Sequence, residues 1–432
     1  MKINHLFCYL IIAFSLLFSN NSFSQGTLNS QQLSGSNLNT ITTAVPFLLI
    51  TPDSRSGAMG DVGVAISPDA NAIHWNPSKL VFIDETYDMG FSISYSPWLR
   101  ALVNDINLAY LSGYKRVDRL STLGVSLRYF SLGNITFTDI QGTEIRDFKP
   151  NEFALDVVYS RLLSDNFSAG LSARYIYSNL TGGISSGQGG PTKNFANSIS
   201  TDLSLYYTSN DFDLADKKSS IAFGANISNI GAPMTYTDSA VSNDFLPANL
   251  RLGSCLNMYL DEFNKVSFAF DANKLLVPTP PIYKEDASNP PKIDDVASGR
   301  YPDVGVASGI FGSFTDAPGF IFYNSDGDIQ ENPDGTYMIE DGSILREELR
   351  EINISFGMEY LYNNLFAIRG GYFHEHYTKG DRKFASFGFG IKYQVINIDV
   401  SYVLPVNNRN SPLANTIRFS INFNLGETKS KS

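Results

Sequence analysis

Tyr87-Asp88-Met89-Gly90-Phe91-Ser92-Ile93-Ser94-Tyr95-Ser96 alternates large apolar residues with small or polar ones without a break. Successive side chains of a strand point to opposite faces. Tyr87, Met89, Phe91, Ile93 and Tyr95 therefore share one face, and Asp88, Gly90, Ser92, Ser94 and Ser96 the other. A strand that is greasy on one side and small or polar on the other, about ten residues long, suits the wall of a membrane barrel with an aqueous or packed lumen.

The unit recurs to the end of the chain, separated by turn residues. Apolar alternation marks strands at Ile106–Tyr110, Leu123–Tyr129, Phe153–Tyr159, Phe167–Tyr177, Leu203–Tyr207, Ile221–Ile227, Leu250–Met258 and Val266–Phe270. After a long gap it returns at Ile352–Tyr360, Phe366–Tyr372, Phe387–Tyr393, Ile396–Tyr402 and Ile417–Phe423. With the first, that predicts fourteen strands, an even number that suits a single-chain bacterial barrel with both termini periplasmic. The connections alternate in length as such a barrel requires. Short turns fall at 116–119, 164–166, 261–264, 362–364 and near Gln394; long loops fall at 132–150, 180–196, 231–247 and 276–350. Only the turn near 209–218 is longer than its place predicts.

Charge parity agrees. Asp156, Arg174, Asp202, Asn226, Arg251, Asp271, Glu359, Arg369, Lys392, Asp399 and Arg418 all fall on the predicted lumen face. A charge on the lipid face at mid-membrane costs about 2–4 kcal/mol, so consistent parity is informative. Composition fits too: the 432 residues are 43% hydrophobic and 13% aromatic but only 17% charged, which suits a chain whose apolar residues are spread one in two along strands. A net charge of −11 argues against nucleic-acid binding, which needs a basic face.

The N-terminus reads as a signal peptide: Lys2, an apolar core from Leu6 to Phe18, then a polar run to Gln25. The core is too short to span a bilayer, and cleavage is expected near Ser24 and Gln25. Cys255 is then the sole remaining cysteine, which excludes an internal disulfide scaffold. The expected organisation is a signal peptide (1–24), a flexible periplasmic leader (25–43), an N-terminal plug (44–83), a barrel (84–426) with a dominant extracellular loop at 276–350, and a C-terminal tail (427–432).

The plug segment carries a signature, with Ser56-Gly57-Ala58-Met59-Gly60-Asp61 followed by Asn71-Ala72-Ile73-His74-Trp75-Asn76-Pro77. It resembles the lumenal hatch of the FadL-type outer-membrane proteins, which are fourteen-stranded barrels. The fuller pattern around Gly57, Met59, Gly60, Asp61, His74, Trp75, Asn76 and Pro77, with chain length and the one dominant loop, is closer to the PorV (LptO) family of the type IX secretion system of Bacteroidetes. The fold implied is all-β: a 14-stranded antiparallel transmembrane β-barrel in the outer membrane, plugged from its N-terminus. The resemblance also implies a non-enzymatic function. It implies binding of the C-terminal domains of secreted cargo, association with a giant translocon barrel of the Sov/SprA type at its lateral opening, and delivery to a cell-surface attachment complex. The shared fold leaves a transporter of hydrophobic small molecules as the alternative.

Residue chemistry adds little catalysis. His374-Glu375-His376 puts two imidazoles on the outward face at a strand end, without a third metal ligand in view. Asn324-Ser325-Asp326-Gly327-Asp328 and Asn332-Pro333-Asp334-Gly335 miss the spacing of a calcium loop and read as turns. No catalytic residue, metal or cofactor is expected. The loops are more telling. Trp98, Leu99 and Leu102 in the first, and Val277, Pro278, Phe311, Phe314 and Phe320 in the longest, place apolar side chains where outer loops are ordinarily polar. Such surface must be buried in loop packing, in the lumen, or against a partner.

Overall fold

The computed structural model describes residues 38–99, 105–138, 141–180, 182, 195–236, 244–284, 287–288, 291–322, 330–333, 337–406 and 416–426. The expected signal peptide, residues 25–37 of the expected leader, Leu102, residues 324–328 and 334–335 of the turn-like segments and the 427–432 tail lie outside them.

All fourteen expected strands form, in the expected order. They are β1 (Met89–Pro97), β2 (Ile106–Asp118), β3 (Ser121–Leu132), β4 (Asn151–Ser164), β5 (Phe167–Asn179), β6 (Ala196–Thr208) and β7 (Lys217–Gly231). Then follow β8 (Asn249–Tyr259), β9 (Asn264–Leu275), β10 (Asn353–Tyr362), β11 (Phe366–His374), β12 (Lys383–Tyr393), β13 (Ile396–Pro405) and β14 (Thr416–Leu425). Each pairs antiparallel with its chain neighbour, and β14 returns to β1 in a register running from Met89↔Leu425 to Tyr95↔Phe419. The sheet is thus closed, and no barrel strand is left with an unpaired edge.

The predicted parity is realised. Ser92, Ser94 and Ser96 are buried, while Ile93, Val125, Leu171 and Ile368 on the opposite face stand about half exposed. Of the polar residues assigned to the lumen, Asp156, Arg174, Asp202, Asn226, Arg251, Asp271, Glu359, Arg369, Asp399 and Arg418 are buried, and Lys392 is half-buried. Tyr207, Tyr259, Tyr362 and Tyr393 stand at or next to strand ends on the short-turn side, as interfacial girdle residues do.

Turn chemistry explains the one irregular connection. Between β6 and β7 the chain adds a three-residue strand, Phe212–Leu214, which pairs back on Lys217–Ser219. Ala215 and Asp216 both have positive φ, the backbone of a two-residue hairpin turn. The extra length is an extension of the hairpin beyond the barrel, with the strand count unchanged. Asn363 and Asn364 make the β10–β11 turn in the same way, with a residue type that tolerates left-handed backbone.

The N-terminal segment is a series of short helical turns: Pro46–Leu49, α1 (Ser54–Gly57), α2 (Ala72–Trp75) and Pro77–Phe82. It runs through the lumen from one end to the other. Phe47 and Leu48 pack on Leu108 and Phe130 near the long loops. Ile73, Leu80 and Ile83 pack on Tyr114 and Val158 toward the short turns, where the chain enters β1. One placement differs from expectation. The Asn39 amide donates to Thr378 in the β11–β12 connection at 3.0 Å, and the Ala44 amide to Phe245 in the β7–β8 connection at 2.9 Å. Both connections lie at the long-loop end, so residues 39–43 of the expected periplasmic leader sit at the opposite mouth. Their polar composition predicts exposure but carries no information on which side; only these loop hydrogen bonds decide it. The C-terminal end of β14 stays at the short-turn end, paired with the start of β1.

Since bacterial barrels place long loops outside, a cysteine at exposed Thr40 is expected to react with a membrane-impermeant maleimide on intact cells. A cysteine at Glu262, in the short β8–β9 turn, should label only after permeabilisation. Protection of the Thr40→Cys thiol until permeabilisation would overturn the placement.

Candidate functional site: a filled lumen and its loop cap

The plug holds its own shape first. Asp53 caps α1 by accepting from the Ser56 amide at 2.9 Å, and its other oxygen accepts from Trp75 Nε1 at 2.7 Å. Asn76 donates to Val64 O at 3.1 Å and to Leu205 O of β6 at 3.0 Å, and accepts from the Ser78 amide. The Asn76-Pro77 turn is therefore pinned to the wall, and the Pro77 carbonyl accepts from Ser160 Oγ at 2.6 Å. Lys79, fully buried, donates to the plug's own Gly63 and Ile66 carbonyls.

The plug then locks to the wall. Glu359 of β10 accepts from both Arg55 of the plug (2.9 Å) and Arg369 of β11 (2.6 Å). Arg55 continues to Asp69 and Arg369 to Asp399, giving one chain of charges from the half-buried plug end to the buried wall: Asp69, Arg55, Glu359, Arg369, Asp399. Asp61 meets Arg418 of β14 at 3.2 Å. Asp271 of β9 accepts from the Gly63 and Val64 amides at 2.7 and 3.0 Å. His74 presents Nδ1 to Arg128 of β3 at 2.6 Å, while the Arg251 guanidinium covers the Trp75 ring at 4.9 Å. Met59 is completely buried with Val62, Tyr206 and Cys255. Two glycines face each other where plug and wall touch. A Cβ on Gly60, whose φ is +70°, would fall 2.5 Å from the Tyr372 amide, and one on Gly371 would fall 2.0 Å from Met59. No larger residue fits there without moving backbone. Gly57 is likewise crowded by the Arg418 side chain.

A second polar knot holds the long connection after β9 over the barrel mouth. Lys274, at the end of β9, pairs with Glu348 (3.0 Å) and Glu351 (2.5 Å); Lys379 of the β11–β12 connection reaches Glu347 and Glu351. Thr279 donates to Glu351 Oε1 through its hydroxyl and to Asp316 through its amide. Burial, with Glu351 and Glu348 nearby, pushes the Asp316 carboxyl above its usual value. These lysines and glutamates were not singled out from sequence. Their signal is faint: a lysine of outward parity at a strand end, and three glutamates within five residues at the end of one helix.

The apolar loop residues separate into two groups. Val277 is buried beside Leu276 and Ala248, and Pro278 is half-buried. Trp98 is half-buried against the Phe47–Leu108–Phe130 cluster, with the Arg418 guanidinium 5.9 Å from its ring. Leu99 is half-buried with φ +51°. Phe320 lies under Arg346 and Arg350. Phe311, in α3 (Val306–Gly312), is 78% exposed, and Phe314 just beyond it is 46% exposed. Around the His374-Glu375-His376 run, Glu375 turns to Arg382 at 2.7–2.8 Å, and no group of three metal-ligating side chains occurs among the described residues.

A closed fourteen-stranded wall, a lumen filled by an interlocked N-terminal segment, and a mouth capped by folded loops define a plugged outer-membrane β-barrel. The comparisons with known proteins make this particular. Residues 33–282 match the family model "Type IX secretion system protein PorV", and the chain belongs to that family. It is therefore an outer-membrane component of type IX secretion. No curated protein matches the sequence. Among solved structures, the Pseudomonas putida toluene transporter TodX is similar, with 14% identity and a TM-score of 0.41 over 85% of this chain and 95% of its own. A Pseudomonas aeruginosa FadL homologue is 10% identical, with a TM-score of 0.38 over 90% of this chain and 99% of its own.

Glu359→Gln should be severely destabilising to the plug, since removing one partner of a buried ion pair costs about 3–5 kcal/mol. The expected result in planar bilayers is channel conductance well above that of the unaltered barrel, with heat-modifiable migration on gels retained. Unchanged conductance would show that the charge chain does not hold the plug.

Proposed function

We propose that this barrel acts on its long-loop face as a carrier of secreted proteins. It binds the C-terminal domain of type IX cargo, associates with the giant translocon barrel at its lateral opening, and passes cargo to the cell-surface attachment complex. The observation that carries the reading is a contrast within one molecule. The space between plug and wall is filled: ion pairs and backbone hydrogen bonds interlock with packed apolar clusters around Phe47, Met59 and Ile73. The loop cap, by contrast, presents Phe311 on α3 and Phe314 just beyond it to solvent, with folded surroundings. Exposed aromatic side chains on an ordered support are what a protein partner engages, and aromatic anchors dominate binding energy at such surfaces. Trp98 and Val277 support the cap from beneath in this reading, and Phe311 with Phe314 is the contact.

The reading assigns the chain no catalytic step and no energy source; the barrel is a membrane-anchored handle and the loops are the grip. Directionality comes from the other components. A small-molecule transporter of the FadL kind shares the fold but would need an apolar passage through a lumen that the plug fills.

Purification of the full chain from its native envelope in mild detergent is the direct test, with recovery of a giant barrel and of proteins sharing a C-terminal domain expected. The double substitution Phe311→Ser, Phe314→Ser should lower cargo release at least about tenfold, the equivalent of one 1.4 kcal/mol contact, while the barrel stays folded. Normal secretion by that variant, or a solitary protein carrying fatty acid, would sink the proposal.

A further inference from the structure

α4 (Ser343–Arg350) in the long connection has its polarity reversed. Glu347 and Glu348, with Glu351 just beyond, are buried in the lysine knot over the barrel mouth. Leu345 and Leu349, four residues apart and so on one face, are 65% and 60% exposed. A helix that buries its acids and shows its leucines is not arranged for water. Its exposed face borders a groove of about 430 Å³ lined by Leu345, Leu349, Ile352, Ile354, His374 and His376. Ile354 and His374 are cross-strand partners near the long-loop ends of β10 and β11, and both have outward parity, in line with Phe356, Met358 and Ile368. The floor of the groove is therefore the upper edge of the lipid-facing belt. Arg346 and Arg350 stand along the same wall, paired to Glu340 (2.7 Å) and Glu347, and a guanidinium has donors to spare beyond one carboxylate.

We infer that this groove is a lipid site. It takes an acyl chain of an outer-leaflet amphiphile between α4 and the β10–β11 wall, with the phosphorylated head group against Arg346 and His376. Three features select a lipid over a protein occupant. The groove is continuous with the membrane belt, it lies at the strand ends where head groups begin, and its cations line the rim above an apolar floor. Amphipathic helices that lie in this interfacial layer combine leucines below with basic residues above in the same way. The site fixes the long connection at the membrane surface, from which Phe311 and Phe314 project, but the inference does not depend on what those residues bind.

The test uses the purified full chain with Leu349→Trp, reconstituted into vesicles of phosphatidylcholine or of phosphatidylcholine with phosphatidylglycerol, with bromine on the acyl chains of one lipid at a time. Trp75 and Trp98 pack in or over the plug, so the unaltered protein gives the background. Quenching of Leu349→Trp well above that background is expected. Brominated phosphatidylglycerol should quench with about fivefold preference over brominated phosphatidylcholine, the size of one basic residue's attraction to an anionic surface. Adding Arg346→Gln should abolish the preference while leaving chain contact intact. Heat-modifiable migration verifies that each variant is folded. Quenching no greater than background, or equal quenching by both lipids, overturns the proposal. So does a photo-cross-linker at position 349 that captures one protein and no lipid in the native envelope.

Discussion

Every backbone amide and carbonyl in the hydrocarbon layer must find a partner within the protein, because no water is there to replace it. For a sheet, closure is the one solution, and here it is made by Met89–Tyr95 against Phe419–Leu425. The rest of the molecule follows from that ring of fourteen strands. Closure fixes an inside and an outside, and the two-residue period of a strand then assigns each side chain to one of them. Outside are Ile, Leu, Val, Phe and Tyr; inside are serines, glycines and charged residues that would be costly in lipid.

An interior so lined has its own demands. Buried charges are tolerated only when paired and hydrogen-bonded. Arg174 is held between Asp156 and Asp202 wholly within the wall. Glu359, already paired with Arg369, gains a second partner in Arg55 of the plug, and Asp271 takes the Gly63 and Val64 amides on one oxygen. The plug is thus part of the electrostatic structure of the wall, which explains why its signature carries small and polar residues beside the apolar Met59 and Trp75. Gly60 and Gly371 allow backbone to touch backbone, Asp53 and Asn76 stiffen the turns, and Asp61 reaches Arg418. Activity of a binding kind is left to the far end, where Lys274, Lys379 and Glu351 tie the longest connection down and leave aromatic and leucine side chains standing on it.

Much of this was legible along the chain. Alternation from Tyr87 to Phe423 predicts each strand, its face and its neighbours, because a strand's period is local and survives any tertiary arrangement. The resemblance of Ser56–Pro77 to a lumenal hatch marks the plug. Less legible was what each loop residue does. Trp98 and Phe311 are both aromatic residues in loops, yet one rests on the Phe47 cluster and the other stands free. That difference arises from packing between segments far apart in sequence. The lysine–glutamate knot was missed for the same reason: Lys274, Glu351 and Lys379 have no periodic relation to one another.

By itself, then, the sequence determined the number of strands, the face of every residue in them and the alternation of short and long connections, since all three rest on local periodicity and turn chemistry. Tertiary structure alone decided how the plug is keyed to the wall and which loop side chains are buried. It also set the mouth at which residues 39–44 lie and the reversed polarity of the helix over β10 and β11. These are set by hydrogen bonds and ion pairs between residues up to several hundred positions apart, such as Ser54 with Ser420 and Arg55 with Glu359. No local pattern can encode such pairs, because their energy depends on a closed barrel that brings them within reach.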